Sequence, residues 1–229
     1  MDFSTFEKKI NISFKDKSLL KQAFIHRSYI NENKGSGLEH NERLEFLGDA
    51  VLELVVTDYL YVKYPAQPEG ELTAYRSSLV NSNTIAEAAT KLKINDYLLL
   101  SRGEAKDMGR ARLYILANTF EAVIGAIYLD QGYDVAKEFI GAQLFDLIDD
   151  IVARGSWIDA KSRFQERAQE KVGITPAYKT TKEVGPDHNK LFTVGLYLGN
   201  DLVVEGAGKS KQEAEQDAAR KALAKKNWL

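Results

Sequence analysis

The sequence contains no cysteine and only four prolines among its 229 residues. The absence of cysteine excludes a disulfide framework, a zinc–cysteine site and a thiol nucleophile. No uninterrupted apolar run approaches the roughly 18 residues that a membrane-spanning helix needs. The first ten residues, MDFSTFEKKI, have neither the basic end nor the apolar stretch of a signal peptide. We therefore expect a cytoplasmic protein without a membrane partner.

Charge is distributed unevenly along the chain, although its formal net value is only −2. Residues 157–229 hold 13 Lys and Arg against 10 Asp and Glu, which leaves 18 against 23 for residues 1–156. A basic C-terminal part is typical of proteins that contact a polyanion. The excess of positive charge is small, so it indicates nucleic-acid binding only together with other signals.

The hydrophobic pattern divides the chain into two parts. Apolar residues recur at helical spacing in five segments, at 3–10, 17–30, 41–64, 69–92 and 113–132. After a short candidate linker at 153–157, a helical segment at 159–173 is followed by strand-like segments at 177–184, 190–199 and 201–208 and a final helical segment at 210–226. We therefore predict an all-α domain at 1–154, followed by a small α+β domain with the order α-β-β-β-α at 158–229.

Two segments of the predicted helical domain carry unusual carboxylates. In NERLEFLGD, residues 41–49, a helix would place Glu42, Glu45 and Asp49 on one face. In ANTFEAVIGAIYLD, residues 117–130, Glu121 stands among apolar residues, and Asn118 shares its face. Burying an unpaired carboxylate costs several kcal/mol, so such a group must be paired, coordinated or protonated.

Oxygen ligands without nearby histidine or cysteine suit a hard cation such as Mg²⁺ or Mn²⁺. Two such ions can activate water and stabilise the leaving oxygen in phosphodiester hydrolysis. Other interpretations remain open: Glu42, Glu45 and Asp49 could form a solvated helix face, and Glu121 could pair with Lys or Arg. We interpret His26 and His40 as structural or surface histidines rather than as a general acid or base.

These motifs resemble those of a known family. HNERLEFLGDAVL at 40–52 resembles the signature of bacterial ribonuclease III, and ILANTFEAVIGAIYLD at 115–130 resembles its second acidic motif. HRSY, PEGELT, RSSLVNSNTIAEAA and RGE add shorter likenesses. KSRFQERAQE, GPDHNKLF and GAGKSKQEAEQDAARKAL are similar to the motifs of a double-stranded-RNA-binding domain. The resemblance covers residues 5–227 in the family's domain order.

The resemblance implies a homodimeric endoribonuclease that cleaves double-stranded RNA with Mg²⁺, for which Mn²⁺ can substitute, and without a small-molecule cofactor. Its products would carry 5′-phosphate and 3′-hydroxyl ends with two-nucleotide 3′ overhangs, and its substrates would be ribosomal RNA precursors and structured messenger RNAs. By the same resemblance the catalytic residues are Asp49, Glu121 and Glu42, and the metal ligands are Glu45, Asp49, Asn118 and Glu121.

Two further residues receive roles from the resemblance. Phe46 matches an aromatic residue of the dimer interface, although it could equally be an ordinary core phenylalanine. Glu69 matches a position near the RNA, although an acidic residue at a helix N-terminus is also favoured by the helix dipole alone.

The sequence departs from the family at Asn118, where an aspartate is usual. This departure supports a rival hypothesis, a dimeric double-stranded-RNA-binding protein with impaired cleavage. A purely structural ribosomal component is less well supported, because Glu45, Asp49 and Glu121 are all present.

The C-terminal domain supplies candidate RNA contacts. Double-stranded RNA is recognised by its shape, through 2′-hydroxyls and phosphates. Positive side chains and free backbone N–H groups at a helix N-terminus favour phosphate, although the KSK segment could also be simple helix capping and Gln165 an ordinary surface residue. The predicted contacts are Ser162, Gln165 and Glu166 on the first helix, His188 in the turn between strands, and Lys209, Ser210 and Lys211 at the last helix.

Overall fold

The computed structural model describes residues 3–107, 109–154, 159–186 and 190–228. The chain forms two compact units, Met1–Trp157 and Ile158–Leu229. The described part of the first unit is helical, as predicted. Its α-helices are α1 (Ser4–Ile10), α2 (Lys17–Ala23), α3 (Arg27–Glu32), α4 (Glu42–Lys63), α5 (Glu69–Leu79), α6 (Ser82–Lys91), α7 (Arg102–Lys106), α8 (Arg110–Gln131), α9 (Tyr133–Leu144) and α10 (Leu147–Arg154), with a short 3₁₀ helix at Ile94–Tyr97.

The two longest helices, α4 and α8, pack against each other at the centre of this unit. Leu52 and Val55 of α4 and Phe120 and Val123 of α8 have no solvent exposure and belong to one hydrophobic core. Because most of α8 is apolar, burying it contributes a large share of the hydrophobic stabilisation of the unit. The pair therefore forms a rigid base for the polar side chains at its surface.

The segment Ala111–Gln131 of α8 is long and apolar enough, by length and composition, to cross a membrane. The segment still contains no uninterrupted apolar run of about 18 residues, because Asn118 and Glu121 interrupt it, so the expectation of no membrane partner stays a prediction. In the structure this segment is largely buried inside the unit. A central core helix passes the same test of composition, so the finding is weak evidence for a membrane span.

The predicted helix at 17–30 is two helices. Between α2 and α3, Ile25 forms a parallel bridge with Leu99. The backbone N–H of His26 donates to the Leu99 carbonyl at 3.1 Å, and the Leu99 N–H donates to the Phe24 carbonyl at 2.9 Å. Because these backbone groups pair with a distant segment, the helix cannot continue through them.

The predicted helix at 69–92 is also divided, into α5 and α6. The side-chain oxygen of Asn81 accepts from the backbone N–H groups of Asn83 at 3.1 Å and Thr84 at 3.0 Å. Asn81 thus starts a new helix as its N-cap. Gly132 ends α8, as predicted, with a φ of 86° that favours glycine.

The second unit has the predicted order α-β-β-β-α. It consists of α11 (Ala160–Val172), β1 (Pro176–Val184), β2 (Leu191–Leu198), β3 (Asp201–Gly208) and α12 (Lys211–Lys226). The antiparallel sheet has the order β1-β2-β3, with Tyr178 opposite Leu196 and Leu196 opposite Val204. Phe164 of α11, Leu196 of β2 and Ala218 of α12 are buried together in a second core.

Candidate active site

Two glycines set the distance between α4 and α8. A Cβ atom on Gly48 would overlap the carbonyl oxygen of Glu121, and a Cβ atom on Gly125 would overlap the carbonyl oxygen of Leu44. Because neither glycine has a side chain, the two helix backbones touch at this crossing. The crossing lies between Glu45 and Asp49 on α4 and beside Glu121 on α8, so it brings the carboxylates of both helices together.

The electrostatics of this cluster show how closely its members interact. Burial, followed by the carboxylates of Asp49 and Glu45, raises the pKa of Glu121 to about 8. Burial and then the carboxylates of Glu42 and Asp49 raise the pKa of Glu45, whereas a side-chain hydrogen bond from Asn118 lowers it. The structure therefore places the predicted ligands Glu45, Asp49, Asn118 and Glu121 in one interacting group.

The donor set of this group fits a hard cation. It offers carboxylate and amide oxygens, which are the ligands that Mg²⁺ and Mn²⁺ prefer. Among the residues that the structure describes, no Lys or Arg forms an ion pair with Glu45, Asp49 or Glu121. The same residues contain no group of three or more His, Asp or Glu side chains already arranged to hold a metal ion. A cation would offset both the burial of Glu121 and the repulsion from Asp49 and Glu45, which together raise its pKa.

A cavity of about 300 Å³ adjoins the cluster. The Nη1 atom of Arg27 lies 3.6 Å from Oε1 of Glu42 in its wall. Arg27 is a site residue that the sequence pattern does not identify, since its only signal is the likeness of HRSY. The lining includes Glu42, Glu45, Asn118, Arg27, His26 and Tyr114.

The two histidines considered above have local partners. His26 is the N-cap of α3, and its Nδ1 atom lies 2.8 Å from the hydroxyl of Ser28. Burial is the main cause that lowers the pKa of His26. His40 lies near the surface, with Nδ1 3.8 Å from Oε2 of Glu42. Both contacts agree with structural roles.

Phe46 does not belong to the hydrophobic core of its own chain, since 81% of it is exposed. Leu54 and Tyr61 follow on α4 at spacings of eight and seven residues, which keep them on the same side of the helix, and both are exposed. Phe46 also lines a separate cavity of about 610 Å³ together with Leu129. This side of α4 thus exposes three large apolar side chains, with the polar Glu53 and Thr57 between them.

Glu69 lies apart from the lining of the carboxylate cavity. It is exposed at the first position of α5 and lines another cavity, of about 260 Å³, with Tyr61 and Arg76. Its position agrees with an acidic residue favoured by the helix dipole, and the described part of the chain adds no contact that marks it as an RNA ligand.

The predicted contacts on α11 share one surface. Ser162, Gln165 and Glu166 are exposed and line a single shallow cavity. The Ser162 hydroxyl donates to Oδ2 of Asp159 at 2.9 Å, which helps to start the helix. His188, the predicted contact in the turn between β1 and β2, lies outside the described residues.

The start of α12 contains a capping box. The Ser210 hydroxyl oxygen accepts from the Glu213 N–H at 3.1 Å, and the Lys209 N–H donates to Oε2 of Glu213 at 2.8 Å. The backbone N–H groups of Lys209 and Glu213 therefore already have hydrogen-bond partners, as the alternative of simple helix capping expects, and the RNA contacts of Lys209, Ser210 and Lys211 stay a prediction. The side chains of Lys209 and Lys211 are exposed at this helix end.

Comparison with known proteins connects both units to established families. Residues 16–148 match the model described as ribonuclease-III-like, and residues 160–226 match the double-stranded RNA binding motif. The chain is 47% identical over 223 residues to Ribonuclease 3 of Borreliella burgdorferi, covering 96% of this chain and 89% of that protein. The chain belongs to the ribonuclease III family. Ribonuclease 3 of Enterococcus faecalis is 45% identical over 217 residues, with coverage of 95% and 94%.

A solved structure shares the fold of the first unit of this ribonuclease III. The nuclease domain of ribonuclease III from Campylobacter jejuni aligns with a TM-score of 0.56 and 40% identity, covering 62% of this chain and 98% of that domain. The predicted family, the predicted fold class and the prediction of an endoribonuclease are thereby confirmed. Ribonuclease III enzymes are generally metal-dependent, in agreement with the donor set of the carboxylate cluster.

Proposed function

We propose that this ribonuclease III cleaves double-stranded RNA with Mg²⁺ and leaves 5′-phosphate and 3′-hydroxyl ends with two-nucleotide 3′ overhangs. The observation that carries the proposal is the approach of Glu45 and Asp49 on α4 to Glu121 on α8 at the glycine crossing. A surface that concentrates negative charge repels RNA unless a cation lies between them. A divalent ion between them would neutralise the negative charge of the carboxylates and of the phosphodiester and coordinate oxygens of both.

The residues of the cluster divide their tasks. Glu45, Asp49, Asn118 and Glu121 would hold Mg²⁺, for which Mn²⁺ can substitute. When bound, the ion supplies Lewis acidity for phosphodiester hydrolysis. Glu121 must lose its proton to act as a ligand, and Asn118 steadies Glu45 through its hydrogen bond. Glu42 holds Arg27 at the wall of the adjoining cavity.

Recognition of the duplex belongs mainly to the second unit. The exposed face with Ser162, Gln165 and Glu166 supplies polar groups for 2′-hydroxyls and minor-groove edges. Lys209, Ser210 and Lys211 would contact phosphate through their side chains. His188 and Glu69 complete the proposed RNA contacts.

Exposed apolar side chains on α4 support a homodimer. Phe46, Leu54 and Tyr61 expose large side chains that a second copy would cover. The Campylobacter jejuni structure is described as having a flexible region involved in dimer formation of the nuclease domain. We assign the dimer to the cytoplasm, where precursors of ribosomal RNA and structured messenger RNAs are its substrates.

A second candidate function is binding of the duplex with impaired cleavage. Asn118 is the observation that favours this candidate, because asparagine brings no negative charge to the cluster and its amide hydrogen bonds to Glu45. The two candidates predict the same affinity for RNA and different products.

A cleavage assay separates them. The full chain is incubated with an end-labelled duplex in Mg²⁺ or in EDTA, and the products are resolved under denaturing conditions, with Glu121→Gln as the matched variant. Cleavage that needs Mg²⁺ and Glu121 supports the enzyme. Binding without cleavage by the unmodified chain would favour the second candidate, and absence of binding would refute both.

A further inference from the structure

One of the proposed phosphate contacts, Lys211, already has a carboxylate partner. Its Nζ atom lies 3.2 Å from Oε1 of Glu183 near the end of β1. The same Nζ atom lies 5.8 Å from the centre of the Phe192 ring. Glu183 and Phe192 are opposite each other in the β1–β2 pair. The lysine head group is therefore held against one cross-strand pair of the sheet.

This position joins two proposed RNA contacts. Lys211 is the first residue of α12, and Glu183 is the second-last residue of β1, five residues before the predicted contact His188 in the sequence. A duplex that contacts α12 and the end of β1 would bring its phosphates near the Glu183–Lys211 pair. Both side chains are substantially exposed, 40% for Glu183 and 59% for Lys211, so a phosphate can approach without opening the core.

We propose that Glu183 competes with RNA phosphate for Lys211 and thereby weakens binding of the duplex, a role that rests on the proposed function. Its carboxylate neutralises the ammonium group in the free protein, and it repels an incoming phosphate. RNA must displace Glu183 before Lys211 can form a phosphate contact. Glu183 thus limits the affinity of the protein for the duplex and favours release of a cleaved duplex.

The other carboxylates at this end of the unit are engaged differently. Glu213 accepts from the backbone N–H of Lys209 in the capping box, and it forms no ion pair with a lysine side chain of the described residues. Glu205, exposed on β3, accepts from the hydroxyl of Thr181 at 2.8 Å. Glu205→Gln is therefore a matched control for Glu183→Gln, because it removes the same charge from the same sheet. Within the described residues the Glu205 carboxylate forms no ion pair with a lysine, and Lys221 donates only to its backbone carbonyl.

The test measures binding of the full chain to a duplex longer than about 16 base pairs, in EDTA so that no cleavage occurs. Glu183→Gln, Lys211→Gln, the double variant and Glu205→Gln are compared at several salt concentrations. We expect Glu183→Gln to tighten binding about two- to fivefold at low salt, the range typical of an exposed ion pair, and to slow dissociation. The gain should shrink as salt screens the charges.

The double variant distinguishes competition from general repulsion. If Glu183 acts through Lys211, Glu183→Gln should increase the affinity for the duplex much less when Lys211 is also replaced by Gln. Glu205→Gln should increase the affinity less than Glu183→Gln does. Unchanged or weaker binding by Glu183→Gln would overturn the inference, as would an equal gain with Lys211 absent. Failure of the unmodified chain to bind the duplex would instead overturn the proposed function, and this inference with it.

Discussion

The carbonyl oxygen of Glu121 on α8 occupies the space that a side chain on Gly48 of α4 would need. The glycine is therefore part of the candidate active site, although it carries no functional group. It allows the two helices to approach until Glu121 is buried and its carboxylate is repelled by that of Asp49. Backbone contact at this crossing sets the width of the site.

Replacing Gly48 with alanine should force α4 and α8 apart. Overpacking of a close contact costs typically about 1–3 kcal/mol, and here the added methyl group meets backbone rather than a flexible side chain. We expect a lower melting temperature and a loss of cleavage. Gly70→Ala is the control, because an added Cβ at Gly70 has no atom within 4 Å. Equal stability of the two variants would contradict the close crossing.

The metal-free protein should lose stability as pH rises, because of Glu121. Its pKa is about 8 in the folded state against the ordinary 4.5 of a glutamate carboxyl group, so the folded chain holds this proton more tightly. Below about pH 4.5 both states are protonated and no penalty exists. Between pH 4.5 and 8 the free energy of unfolding falls progressively, and above pH 8 the loss is complete.

Glu121→Gln removes this titration, so the variant should be more stable than the original chain in EDTA near pH 8 while its cleavage falls by orders of magnitude. Thermal unfolding between pH 5 and 9 measures the difference. Glu138→Gln, which removes an exposed carboxylate from α9, controls for loss of one surface charge. If the melting temperatures of Glu121→Gln and the original chain changed in parallel with pH, the assignment of Glu121 as a buried carboxylate would be refuted.

The elements that sequence patterns predicted well are those with local causes. The helical periodicity of α4 and α8 depends on nearby residues, and the structure confirms both helices. It also confirms the three strands, although burial does not alternate regularly along them. The break between α2 and α3 depends on pairing of Ile25 with Leu99, some seventy residues away, which no local pattern reveals. The break at Asn81 was readable in principle, since asparagine is a strong N-cap.

In the candidate site, too, features with local causes could be predicted and features that depend on distant residues could not. Spacing alone placed Glu42, Glu45 and Asp49 on one helix face, and the apolar surroundings of Glu121 signalled an unusual carboxylate. Spacing could not show that Gly48 faces Gly125, because that contact exists only after two distant helices pack. Nor could it show that Arg27 approaches Glu42.

Phe46→Ala should weaken the proposed dimer. The side chain is 81% exposed in one chain, and burying a phenylalanine typically contributes about 1.5–3 kcal/mol. We expect the variant to dissociate at protein concentrations where the original chain remains dimeric, as measured by sedimentation equilibrium. Leu202→Ala, which removes an exposed apolar group from β3, should leave the association unchanged. A Phe46→Ala protein with the original dissociation constant would place the interface elsewhere.

When the two units are produced as separate chains, the first should retain cleavage and the second should retain most of the affinity for the duplex. A chain of residues 1–154 should remain dimeric and cleave the duplex weakly, best at low salt, because phosphate contacts weaken as salt rises. Residues 158–229 should bind the duplex without cutting it. Analytical ultracentrifugation and cleavage assays across a salt series measure both properties. A monomeric 1–154 chain would contradict the dimer, and salt-independent binding by the full chain would contradict the phosphate contacts.

Asn118→Asp tests the departure from the usual family residue. The two side chains are nearly isosteric, but aspartate adds a negative charge, and it removes the amide that hydrogen bonds to Glu45. Repulsion within the cluster should therefore rise in the metal-free protein, and the affinity for Mg²⁺ should rise with it. We expect the variant to melt at a lower temperature in EDTA and to gain more stability from added Mg²⁺ than the original chain does.

The same variant should change the metal requirement of cleavage more than its maximal rate. Glu45, Asp49 and Glu121 remain in both proteins, and Mg²⁺ sites often need only one or two protein carboxylates together with water and phosphate. Titrating Mg²⁺ and Mn²⁺ into a duplex-cleavage reaction should give a lower half-maximal Mg²⁺ concentration for Asn118→Asp, with similar rates at saturation. Coincident titrations would show that residue 118 is not a metal ligand. Cleavage by the aspartate variant alone, at every concentration of either ion, would show that the unmodified chain binds double-stranded RNA without cutting it.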